Sequence, residues 1–271
     1  MTTDPTTAAE ALLLALGDSG VDYLFANAGT DFPPLIEALA KLGTQGIPRA
    51  LTIPHESVAV AMAHGVWLVT GRAQAVMVHV NVGLANAVMG MINAASDDVA
   101  MLIMSGRTPI TETGHKGQRM TPIQYGQEMY DQSGLVRELV KYEYEMRYPE
   151  QAGPMVYRAL AMARSKPCGP AYLSLPKEPL SAPVPAQTVT RPPPPAASLN
   201  VPARETLETM RDWLNAARSP AIVCQRGDPD GRLGPLISQL AHRIGAAVYE
   251  PFSIRNLMAA DDPVFQGYRP P

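Results

Sequence analysis

Apolar residues recur at helical spacing from Thr7 to Ser19, stop at Gly20 and give way to the short apolar run Val21 to Ala26, which predicts a helix feeding a strand. The alternation then repeats. Phe32 to Leu42 reads as helix, Ala50 to Ile53 as strand, Glu56 to Thr70 as helix, Ala73 to Val80 as strand, Gly83 to Ser96 as helix and Ala100 to Ser105 as strand. Continuous apolar strands between helices are the pattern of a sheet buried on both sides. The expected fold class is therefore α/β, a parallel sheet with helices on both faces.

Thr108 to Tyr130 breaks the pattern with Gly, Thr and Gln, and is expected to be a long loop with a short helix at its end; such loops in compact domains often carry function. Glu150 to Ser165 is helical again, and Ala171 to Leu175 is an apolar strand bounded by Pro170 and Pro176. The proline-dense stretch from Ser181 to Pro202 reads as an extended linker. Beyond it, Arg204 to Ala217 and Gly234 to Ile244 read as helices, and Ala221 to Gln225 and Ala247 to Tyr249 as strands. The expected organisation is one domain over residues 1–180, a linker over 181–202, and the opening part of a second, truncated α/β domain over 203–271.

Composition narrows the function. The chain of 271 residues is 46% hydrophobic with a formal net charge of −3, and it has no Lys/Arg run that could track a phosphate backbone, which argues against a nucleic-acid partner. Two cysteines, Cys168 and Cys224, form neither a disulfide framework nor a metal-binding pair of ligands. Residues 1–10 lack a basic leader, and the apolar run Ala11 to Leu16 is too short to cross a membrane. A soluble cytoplasmic protein without a membrane partner is expected.

The chemistry-bearing segment is Pro54-His55-Glu56, which places a carboxylate at the start of a helix whose unusually small apolar residues run on to His64 and Gly65. Standing alone, such a glutamate could simply complement the helix dipole. Three further segments occur with it, in order: Phe25-Ala26-Asn27-Ala28-Gly29-Thr30; His79-Val80-Asn81-Val82-Gly83-Leu84-Ala85-Asn86; and Gly169-Pro170-Ala171-Tyr172-Leu173-Ser174-Leu175-Pro176-Lys177, followed by Glu178. Together, over residues 7 to 180, they resemble the pyrimidine-binding domain of the thiamine-diphosphate-dependent enzymes of the acetolactate synthase and benzoylformate decarboxylase type. Ala26 and Ala28 stand where that family usually has Gly and Pro. Residues after the linker resemble the start of the family's middle domain.

The resemblance implies roles. Glu56 would be the carboxylate held against the pyrimidine ring nitrogen, which makes the neighbouring exocyclic amine basic enough to take the weakly acidic thiazolium C2 proton. Ala28, Gly29 and Asn86 would lie against the cofactor, although Asn86 could equally cap its helix. His79, near the end of a buried strand, matches a histidine of the benzoylformate decarboxylase type that handles substrate protons, or it is a strand-end histidine that is merely hydrogen-bonded. Thr30 matches a residue that touches the substrate carboxylate, or it caps a helix. His115, beside Lys116 and Arg119, is either a second substrate histidine or a solvated one.

The implied reaction is decarboxylation or carboligation of a 2-oxo acid, with thiamine diphosphate and Mg²⁺ as cofactors. Gly227-Asp228 followed by Asn256 approximates the spacing of the family's Mg²⁺-diphosphate motif, but Pro229 replaces its closing glycine. No metal ligand is expected on this chain, and Mg²⁺ would be bound by a domain absent from it. The chain is expected to be a fragment or one half of a split enzyme, working as a homo-oligomer or with a complementary chain that carries the diphosphate-binding domain. The alternative is a noncatalytic oligomerisation or regulatory module with the same fold. A nucleotide-binding protein is disfavoured, since no phosphate-loop motif follows any strand.

Overall fold

The computed structural model describes residues 5–185, 201–228 and 231–268, so most of the proline-dense stretch and Pro229 lie outside the described residues. The chain divides into two compact units, Met1–Ala196 and Ala197–Pro271.

The first unit opens with α1 (Ala8–Asp18), capped by the Thr7 hydroxyl, which accepts from the Glu10 N–H. Leu12, Leu13 and Leu16 of this helix are completely buried, each burial contributing about 1.5–3 kcal/mol against the exposed state. There follow β1 (Tyr23–Ala26), α2 (Pro33–Leu42), β2 (Arg49–Thr52), α3 (Glu56–Thr70), β3 (Gln74–Val78), α4 (Val80–Ser96) and β4 (Met101–Arg107). The short α5 (Ile123–Gly126), β5 (Tyr142–Glu145), α6 (Ala152–Arg164), β6 (Pro170–Pro176) and α7 (Lys177–Ser181) complete it.

The six strands form one sheet in the order β2-β1-β3-β4-β6-β5, with every pairing parallel. One register line runs Leu51, Phe25, Val76, Ile103, Tyr172 across it. Connections β1 to β2 and β5 to β6 run one way along the sheet, whereas β2 to β3 and β3 to β4 run the other. Right-handed crossovers then place α2 and α6 on one face and α3 and α4 on the other. The packing agrees: α1 lies against α2 and α6, and α3 lies against α4. The α/β expectation holds, with helices on both faces.

Two elements depart from the sequence pattern. β5 has the sequence Tyr-Glu-Tyr-Glu with all four residues half-buried; it is an edge strand, and its partial polarity hides it from a search for apolar runs. α4 begins at Val80 instead of Gly83, because the chain turns into the helix immediately after His79. The segment after β6 stays attached to the first unit, since the Val184 N–H donates to Thr6 O and the Ala8 N–H to Ala182 O.

The second unit contains α8 (Arg204–Ala216), β7 (Ala221–Val223), α9 (Leu233–Ile244) and β8 (Ala247–Tyr249), with β7 and β8 parallel. Ala241, Ala246, Val248 and Met258 form its small core. The Asp228 carboxylate accepts from the N–H groups of Arg232 and Leu233, a helix-start role that accounts for this aspartate without a metal. No helix among the described residues is long and apolar enough to cross a membrane.

Candidate active site

In an open parallel sheet, functional groups gather outside the carboxyl ends of the strands, where the strand order changes direction. Here that point lies between β1 and β3, which are neighbours although the chain visits β2 between them. The turns leaving β1 and β3 meet there.

After β1 the chain runs Asn27-Ala28-Gly29-Thr30-Asp31 into α2. The Asn27 side chain donates to Ile53 O at 2.9 Å, tying the ends of β1 and β2 together. Pro33 and Pro34 occupy the first helical positions, where no N–H is needed, and the N-cap is Phe32 without any side-chain cap. The structure therefore corrects the capping alternative for Thr30, which is exposed on the turn beside the exposed Ala28. Gly29 packs directly beneath the His79 ring, so closely that any Cβ would overlap the imidazole. This close approach explains the glycine.

Asp31 is 3% exposed. Its Oδ1 lies 2.6 Å from His79 Nδ1, and its Oδ2 accepts the Val80 N–H at 3.1 Å. An ionised carboxylate only accepts, so Nδ1 carries the proton and Nε2 is left for other partners. Gln127 Nε2, from the segment that holds α5, stands 3.5 Å from His79 Nε2. The Asp31 hydrogen bond raises the His79 pKa above its usual 6.5, outweighing burial, with the Asp31 and Glu56 charges adding to the rise. Val80 itself has φ +34°, a left-handed conformation that costs a β-branched residue about 1–3 kcal/mol.

After β2, His55 is the N-cap of α3, its Nδ1 accepting from the Ser57 N–H. Glu56 is the first residue of the helix and is 8% exposed. Its Oε2 accepts from Asn86 Nδ2 at 3.2 Å, with His55 Nδ1 at 4.0 Å. Among the described residues its Oε1 takes no hydrogen bond. Asn86 lies within α4, so the structure corrects the capping alternative for it as well: its amide faces Glu56 across the two helices.

The polar 108–130 segment returns over the strand ends. Glu178, directly after Lys177, anchors it, its Oε1 accepting the Thr111 N–H at 2.8 Å and the Thr111 hydroxyl at 2.7 Å. Thr30, Asp31, Val80, Arg107, Gln127 and Lys177 line one shallow depression. Arg107 is held by Glu145 at 2.5 Å and by Met129 O at 3.1 Å. His115 is exposed, and its hydrogen bonding is local, from its N–H to Gln118 Oε1. His64 pairs with Asp97 at 3.3 Å, and burial lowers its pKa.

The structure thus brings Glu56, His79, Gly29 and Thr30 to adjoining turns, with Asn86 of α4 bonded to Glu56. It adds Asp31 and Gln127, which the sequence reading missed. Neither carried a signal in the sequence: the partner of Asp31 is 48 residues away, and Gln127 lies within polar surroundings.

Residues 6–135 match the family model of the thiamine pyrophosphate (thiamine diphosphate) enzyme N-terminal TPP binding domain. Over 264 residues, 96% of this chain and 44% of the other, the chain is 28% identical to the probable 2-ketoarginine decarboxylase AruI of Pseudomonas aeruginosa. It is 30% identical over 170 residues to the acetolactate synthase large subunit of Haemophilus influenzae, covering 63% of this chain and 28% of that one. The chain spans less than half the length of these relatives. The solved 4-hydroxybenzoylformate decarboxylase of Rhodococcus jostii shares the fold, with a TM-score of 0.80 at 24% identity over 97% of this chain and 48% of that one. The turn motifs in order along the sheet, the family model over residues 6–135 and these relatives agree in making the chain similar to the thiamine-diphosphate-dependent enzymes.

Proposed function

We propose that this chain is the pyrimidine-facing part of a thiamine-diphosphate-dependent 2-oxo acid decarboxylase or carboligase, with Glu56 meeting the aminopyrimidine and His79 handling protons on the substrate side. The observation that carries the reading is the meeting of a buried carboxylate and a carboxylate-paired imidazole on adjoining turns at the strand-order reversal. Glu56 Oε1, without a hydrogen bond among the described residues, fits a ring nitrogen that shares a proton.

Thiamine diphosphate, when bound, supplies the thiazolium C2 and the electron sink for decarboxylation. Glu56 holds a proton between Oε1 and the pyrimidine ring nitrogen, while Asn86 fixes the orientation of its carboxylate through Oε2. His79 gives or takes a proton at Nε2, the nitrogen left free by its bond to Asp31. Ala28 and Gly29 bound the cofactor side of the turn, and Thr30 faces the substrate carboxylate. We assign no role to His115, whose contacts are local.

The residue range 1–180 is proposed as the pyrimidine-binding domain and 203–271 as the start of the middle domain. Among the described residues no group of three His, Cys, Asp or Glu could hold a metal ion. Mg²⁺ and the diphosphate we assign to sequence outside residues 1–271, on the same polypeptide or on a partner in a homo-oligomer. The 2-oxo acid class is inferred from the decarboxylase and acetolactate synthase relatives.

The test is His79→Ala in the cofactor-loaded enzyme. Loss of a positioned acid/base lowers kcat by about 10²- to 10⁴-fold, with cofactor affinity nearly unchanged. Wild-type turnover would show the histidine to be structural only.

A further inference from the structure

We propose that Asp31 is the positioning residue of this site, accepting the Nδ1 proton of His79 so that the imidazole presents Nε2, and Nε2 alone, to the reacting side. The inference rests on the reading of His79 as the proton-handling group.

The carboxylate does not cap α2. It directly precedes the N-cap of α2, where an aspartate ordinarily caps, yet α2 has no side-chain cap. Both oxygens are directed away from that helix, Oδ1 to His79 Nδ1 at 2.6 Å and Oδ2 to the Val80 N–H at 3.1 Å. A charge-assisted bond of that length is among the stronger ones a side chain makes. Asp31 is also locked in place: it is 3% exposed, and it presses against the Gly106 backbone so closely that any Cβ there would overlap the carboxylate.

The two bonds act on one turn. Asp31 holds the imidazole and also the N–H of Val80, the residue whose φ of +34° lets the chain pass from β3 into α4. The ring is therefore oriented from its own side chain and from the next peptide at once. With Nδ1–H committed, a neutral His79 exposes an accepting Nε2 toward Gln127, and a protonated one exposes an N–H donor while its charge stays paired with Asp31. The charged groups around the ring are Asp31 from the β1 turn and Glu56 from α3, with Arg107 and Lys177 lining the same depression as Asp31. Arg107 is already paired with Glu145.

The experiment uses the 271-residue chain and needs no turnover. Histidine Cε1–H and ring nitrogen signals are followed by NMR across pH in wild type and in Asp31→Asn, with His79 assigned by its loss in His79→Gln among the five histidines. The inference expects the His79 midpoint to move down in Asp31→Asn and its neutral tautomer to lose its Nδ1–H preference, while the other four histidines titrate as before. In the cofactor-loaded enzyme, Asp31→Asn should shift the pH profile of kcat in the same direction. An unchanged His79 midpoint and tautomer in a folded Asp31→Asn chain overturns the positioning role whatever the activity. A midpoint that moves while His79→Ala keeps full turnover overturns the proton-handling reading, and the inference with it, through a different measurement.

Discussion

Asn86, inside α4, donates its side-chain amide to Glu56, the first residue of α3, across 3.2 Å. The bond exists because α4 starts early, at Val80, which turns Asn86 toward the neighbouring helix end instead of leaving it at a cap. Asn86 is exposed while Glu56 is buried, so the bond orients a carboxylate more than it anchors the fold. Asn86→Ala is expected to lower stability by about 1 kcal/mol, read by urea unfolding, and to weaken thiamine diphosphate binding more than that loss explains. Unchanged cofactor affinity would remove Asn86 from the site.

Gly29→Ala tests the packing under His79. The added methyl must displace either the ring or the turn, and overpacking of this kind costs about 1–3 kcal/mol. Urea unfolding should show that loss, and the His79 ring signals should shift toward those of Asp31→Asn. A variant with wild-type stability and unmoved His79 signals would mean that the turn yields freely.

Glu10 supplies a pH dependence remote from the site. Burial acts to raise its pKa, but hydrogen bonds from Thr6 and the Lys41 ammonium at 2.9 Å outweigh it, and the net value lies below the ordinary 4.5. A depressed folded-state pKa adds stability above the unfolded value, and that stability disappears as pH falls through the folded value. The stability difference between wild type and Glu10→Gln should accordingly be positive at about pH 7 and shrink on acidification below about pH 4.5. A difference independent of pH would indicate that packing, not charge, holds α1 to Lys41 of α2.

The central strands were legible in the sequence because burial on both faces demands unbroken apolar runs: all of Gln74–Val78 and nearly all of Met101–Arg107 are buried. Even the polar exception at Gln74 is satisfied, its amide bonding the N–H groups of Asp22 and Tyr23 and the Asp22 carboxylate. Tyr142–Glu145 was not legible, since an edge strand needs no apolar run. Glu56 and His79 were singled out by the resemblance that the turn segments carry. Asp31 could not, because its function is its contact with His79, 48 residues away, and sequence order does not show which strand turns become neighbours. The helix start at Val80 was equally hidden, for a β-branched residue at positive φ has no propensity signal; the Asp31 carboxylate makes it possible from outside the segment.

The role proposed for Glu56 is activation of the cofactor. It is tested most directly by hydrogen/deuterium exchange at thiamine diphosphate C2, followed by NMR in the cofactor-loaded enzyme, comparing wild type with Glu56→Gln. Glutamine keeps the shape and the Asn86 side of the contact but cannot share a proton with the pyrimidine ring nitrogen. Exchange in Glu56→Gln is expected to be slower by orders of magnitude, with folding and cofactor binding changed far less. Exchange at the wild-type rate in a folded, cofactor-bound Glu56→Gln enzyme would contradict that role.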